Sequence, residues 1–154
     1  METPNLSPGQ IADVSNSVAQ YISAQRDLHL TRAIPLTAQQ KASVQGFFRP
    51  QLLDTALLLV LHGERVANPA FYTSLRSLGF SNLPDQSAMR AITFYDVVVS
   101  HGPLSNGLLF HELVHVEQYR QLAIQALLRA LCGRFFAWRQ LRGDSAGGER
   151  LCAR

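Results

Sequence analysis

From Ser7 onward the apolar residues Ile11, Val14, Val18, Tyr21 and Ile22 recur at three- and four-residue spacing, the period of a helix that buries one stripe. Ser7 suits the cap of that helix and Pro8 its first position, where a backbone N–H has no intrahelical partner to lose. The pattern predicts an amphipathic helix over residues 8–26. Ile34-Pro35 reads as a turn. Thr37 then caps a second predicted helix that carries Ala42, Val44, Phe47 and Phe48 and ends near Pro50, and residues 51–54 lead into a third element.

The period changes at Ala56–Leu61, an unbroken apolar run. A strand buried on both faces gives such a run, and so does a buried helical segment; the short length favours the strand. Pro69–Leu75 predicts a short helix opening on its proline, and residues 79–85 are turn-rich. Ala91–Phe94 and Val97–Val99 are β-branched and aromatic, separated only by Tyr95-Asp96, so they form either one bent strand or a tight hairpin. His101-Gly102-Pro103 ends this β segment. Ser105 is a cap for a long helix from about Leu108.

Composition adds limits. A chain of 154 residues with 47% apolar and 16% charged residues suits one domain that folds on its own core. Its net charge of +3 comes from scattered arginines, with Lys41 the only lysine, which argues against a nucleic-acid partner. Cys132 and Cys152 are too few for a disulfide framework and are not spaced as a metal-binding pair. The opening METPNLSPGQ lacks the basic and apolar regions of a signal peptide, and the longest apolar run is far below the ~20 residues of a membrane span. The expectation is a soluble, cytoplasmic protein with no nucleic-acid or membrane partner.

Chemistry concentrates at residues 111–115, His-Glu-Leu-Val-His. Four residues apart on a helix, His111 and His115 project from one face, so both imidazoles can reach a single Zn2+ at ~2.0–2.1 Å. Glu112 is turned ~100° from His111, which suits it less to ligation than to taking a proton from a water beside the ion. This predicts metal ligands at His111 and His115, a general base at Glu112, and hydrolysis of a peptide bond. The flanking Leu108, Leu109, Phe110, Leu113, Val114 and Leu122 would seat the helix in the core. The plainer alternative is an ordinary packing helix on which two histidines and a glutamate fall together. Nearby, His101 either faces the cleft or is an exposed loop residue. Tyr119 either donates to a substrate oxyanion or packs on a strand. Glu117 points away from the histidine face, and Gln118 shares that face but is a poor zinc ligand.

At these residues the chain resembles the zincin metallopeptidases, and in particular small bacterial members in which a β segment like AITFYDVVVS precedes a helix like LLFHELVHVEQYRQL. The likeness spans roughly residues 35–128. It implies an α+β zincin-like minimal metallopeptidase fold: N-terminal helices, a small β-sheet, then the active-site helix. It also implies a zinc cofactor, a peptide or protein substrate, and a substrate-side edge at residues 91–100. A non-catalytic scaffold or binding domain of the same fold is the rival.

The resemblance breaks towards the C-terminus. Gln118 and Gln121 stand where a metzincin has its glycine and third histidine. The glutamate-ligand pattern, a later segment like GG-x-YE-x-IPLE-x-x-AY, is absent. Reading residues 135–152 one nucleotide later permits a segment of that form. The expectation is therefore a domain over 1–132 and an atypical, frameshifted tail over 133–154. In the tail as written, Asp144 and Glu149 are the acidic residues that could substitute as a third ligand.

Overall fold

The computed structural model describes residues 4–121. Helix α1 spans Pro8–Leu30 and opens with a reciprocal capping box, in which Ser7 Oγ accepts from the Gln10 N–H and the Gln10 side chain accepts from the Ser7 N–H. It runs four residues beyond the expected end because its buried stripe continues through Ile22 to His29. Thr37 and Gln40 build the same box for α2, Ala38–Ser43. This helix stops well short of Phe48. Val44 turns inward at its end and Gly46 takes a φ of 86°, a left-handed conformation that glycine adopts without a Cβ clash. A separate α3, Pro50–Thr55, follows.

Ile34–Pro35, expected as a turn, forms β1 by pairing antiparallel with β2, Leu57–Val60. The predicted short helix lies slightly later as α4, Tyr72–Ser77. The two β-rich segments form a hairpin, β3 (Ala91–Phe94) and β4 (Val97–Ser100), with Tyr95-Asp96 as its loop. The sheet order is β1-β2-β4-β3, with β2 and β4 parallel. The protein is an α+β fold. Only β3 lies at that edge of the sheet; β4 is paired on both sides, which narrows the expected 91–100 edge to residues 91–94.

The register sorts side chains between two cores, since alternate strand residues face opposite ways. Ile92, Val99 and Leu59 are aligned across the sheet, as are Phe94, Val97 and Leu57, and these face α1 with Val18, Tyr21 and Ile22. Leu58 and Val98 face the other way, towards Leu52 and Leu53 of α3 and towards Leu109, Leu113 and Val116 of the last helix, α5, Asn106–Gln121. Coverage of both faces explains the continuously apolar β2 and the three valines of β4. No helix among the described residues is long and apolar enough to cross a membrane.

The hairpin is fastened to α1. Arg26 donates two hydrogen bonds to the Asp96 carboxylate, Nε to Oδ1 at 2.6 Å and Nη2 to Oδ2 at 3.0 Å. Those bonds from Arg26 hold the Asp96 carboxyl below the ordinary aspartate range against the opposing effect of burial. Tyr95, beside it in the loop, has a φ of 57°, unusual for a residue with a side chain.

Candidate metal centre

Ser105 starts α5 as expected, its Oγ accepting from the Leu108 N–H at 3.2 Å. Leu109, Leu113 and Val116 then define the buried side of the helix. His111 is exposed and His115 half-buried, and neither belongs to a hydrophobic cluster. One turn apart, the two rings stand at 83° with their Nε2 atoms 3.2 Å apart. Two nitrogens bound to one tetrahedral zinc at ~2.0–2.1 Å would stand ~3.3 Å apart. The pair as folded therefore already has the spacing that two positions of such a site require.

The outer side of His115 is also engaged. Its Nδ1 lies 3.0 Å from Oε1 of Gln118. A carbonyl oxygen only accepts, so Nδ1 carries the proton and Nε2 presents its lone pair towards His111. In the absence of a metal, His111 Nε2–H can donate to that lone pair; a metal between the rings would replace this proton. Gln118 thus sets the tautomer of His115, a role its three-residue spacing from that histidine foreshadows.

Glu112 leaves the helix on another side and is only 4% exposed. Its Oε2 accepts a hydrogen bond of 2.7 Å from Thr93 Oγ1 on β3. Thr93, itself 7% exposed, is the site residue that sequence reasoning missed. The signal was a hydroxyl inside the apolar strand AITF, where both faces are covered and a polar group needs a partner. Its β-branch made it read as an ordinary strand residue.

The remaining candidates are structural. Val66 N–H donates to His101 Nε2 at 2.9 Å, so the opposite nitrogen, Nδ1, is the one that donates to Met89 O, at 2.6 Å. His101 is a strut between loops, neither exposed nor at the histidine pair. Tyr119 packs on Tyr95 with ring centroids 5.1 Å apart, and burial, with Tyr95 adding to it, pushes its phenol well above the ordinary tyrosine value. Glu117 accepts from Gln121 Nε2 at 2.6 Å.

Among the described residues, no group of three or more His, Cys, Asp or Glu side chains could share a metal ion. The proposed tail ligands Asp144 and Glu149, both cysteines, the frameshift and the boundary at residue 132 lie outside the described residues. The chain matches no family model, no curated protein and no solved structure.

Proposed function

We propose that this chain is a zinc-dependent peptidase domain of the zincin type, in which His111 and His115 hold the metal and Glu112 is the general base. The observation that carries this reading is the converging pair of Nε2 atoms at 3.2 Å, with Gln118 fixing one tautomer, beside a glutamate held against the sheet's edge strand. Bound zinc would lower the pKa of a water towards ~7 and polarise the scissile carbonyl.

The protein's own residues supply the rest. The imidazoles ligate through neutral Nε2 atoms. The Glu112 carboxylate removes a proton from the attacking water as its oxygen bonds to the carbonyl carbon. The same proton then passes from Glu112 to the departing nitrogen as the C–N bond breaks, leaving a carboxylic acid and an amine. Edge strand β3 supports a peptide substrate in this reading, because among the described residues it has a strand neighbour on one side only and its Thr93 touches Glu112.

A second reading, a zinc-binding or scaffold domain without turnover, is favoured by one observation. The described residues provide two ligands, where catalytic zinc sites hold three from the protein. Zinc stoichiometry of the purified protein and cleavage of a fluorogenic peptide pool separate the two. The peptidase reading expects near-stoichiometric zinc, lost in His111→Ala and His115→Ala, and cleavage reduced ~100-fold or more in Glu112→Gln with zinc retained. Absence of zinc refutes the metal site. Cleavage unchanged by Glu112→Gln refutes the mechanism, and stoichiometric zinc without cleavage selects the scaffold.

A further inference from the structure

We propose that Thr93 is the positioning residue for Glu112: its hydroxyl, held in the sheet, sets the orientation of the carboxylate. This rests on the reading of Glu112 as general base. A glutamate has three side-chain torsions and on an exposed helix face would sample many rotamers. Glu112 is instead buried against β3, with the Thr93 hydroxyl 2.7 Å from Oε2 and 3.3 Å from its own backbone oxygen. The single hydroxyl hydrogen serves the closer carboxylate oxygen. Thr93 therefore meets Glu112 at both ends, main chain and carboxylate.

The anchor is stiffer than what it holds. Thr93 pairs with Val98, which pairs with Leu58, and Val98 and Leu58 are buried in the core that includes α5. Its β-branched side chain has few χ1 choices in such a place. Three residues along, in the hairpin loop, Asp96 is clamped by the two hydrogen bonds from Arg26. Strand position and loop are thus fixed by contacts independent of Glu112, and the β-branch narrows the rotamer choice, which allows the strand to orient the glutamate.

The test uses Thr93→Val, which removes the hydroxyl and keeps the shape, and Thr93→Ser, which restores it. Side-chain couplings of 13C-labelled glutamate are recorded in the metal-free full chain, with the Glu112 signals assigned by their loss in Glu112→Gln. The expected result is one rotamer in the parent and in Thr93→Ser, and averaged couplings in Thr93→Val at a melting temperature still showing a folded protein. Unchanged couplings in Thr93→Val overturn the proposal. Should Thr93→Val not fold, Thr93→Ala takes its place with the same expectation.

With zinc bound and the fluorogenic peptide pool as substrate, Thr93→Val is expected to lower kcat ~10–100-fold through misplacement of the base. KM should stay within about twofold and Thr93→Ser should recover most of the rate. A rate that survives the loss of the hydroxyl, or that serine fails to rescue, also overturns the proposal. If the parent cleaves nothing, the peptidase reading falls while the couplings still decide whether Thr93 orients Glu112.

Discussion

Replacing His29 with leucine is expected to stabilise the protein, and increasingly so as pH falls. His29 lies in the last turn of α1 at 6% exposure, its ring stacked on Phe94 at a centroid distance of 6.2 Å. Neither ring nitrogen has a hydrogen-bond partner among the described residues. Burying an unsatisfied N–H costs ~1–3 kcal/mol. Leucine, similar in volume, removes that cost and loses a ring stack worth ~0.5–1.5 kcal/mol. The net gain is ~1 kcal/mol at pH 7.5, or ~2–4 °C in Tm for a chain of this size. Acidification enlarges it. Burial first, and the nearby Arg32 charge second, hold the His29 imidazole below its ordinary value, with Glu64 acting in the opposite direction and His101 adding to the depression. In the unfolded chain His29 binds its proton near pH ~6.5, whereas the folded protein binds it only at lower pH. Between those two values the unfolded state holds more protons, so the native protein loses up to ~1.4 kcal/mol per pH unit as pH falls. Leucine binds no proton. Urea unfolding of parent and variant between pH 7.5 and 5 should therefore show a gap that widens below pH ~6.5 and levels off once the folded value is passed. A variant less stable than the parent at pH 7.5, with the same gap at pH 5.5, would refute the reasoning.

Two further substitutions test the supports of the site. Asp96→Asn weakens the Arg26 clamp, in which both side chains are about a third exposed; solvent screening limits the loss to ~1 kcal/mol at pH 7. Because the folded Asp96 carboxyl is held below its unfolded value, this contribution is present above pH ~3.9 and disappears as pH falls through the folded value. Parent and variant should converge in stability as pH falls below the unfolded aspartate value in a denaturation series, and a constant difference would show that the clamp contributes nothing ionic. On the proposed reading, Gln118→Leu should lower zinc affinity ~10-fold or more, since it releases the tautomer of His115. Competition against a chromophoric chelator measures this, and equal affinities would dismiss Gln118 from the site.

Local signals were legible in the sequence; long-range ones were not. The caps Ser7, Thr37 and Ser105 could be read because each accepts from a backbone N–H only three residues on in the chain. The unbroken apolar run at β2 pointed to a strand covered on both faces, which it is. By contrast, Ile34–Pro35 becomes a strand only because β2 offers an edge, a pairing across more than twenty positions. The break after Ser43 turns on the backbone angle at Gly46, which an apolar count through Phe47 and Phe48 overrides. The same division holds at the site. The spacing of His111, Glu112 and His115 is local to one helix and announces itself. The Thr93–Glu112 bond joins positions nineteen apart and requires the strand register to be known first.

The division of α5 into sides has a consequence for how metal and fold are related. Leu109, Leu113 and Val116 belong to the core shared with β2, β4 and α3, whereas His111 and His115 belong to neither hydrophobic cluster. The helix is therefore held by apolar burial on one side and presents its imidazoles on the other. A small zinc module whose core is its metal site unfolds when the ion is removed, because binding energy and folding energy are one quantity there. In this fold the two are separable. On the proposed reading, zinc would select among arrangements of a few side chains on a helix that is already in place. Glu112 lies at the boundary between the two sides, packed against the sheet through Thr93 yet next in sequence to His111. That location makes the edge strand, and not the metal, the element that decides where the carboxylate stands.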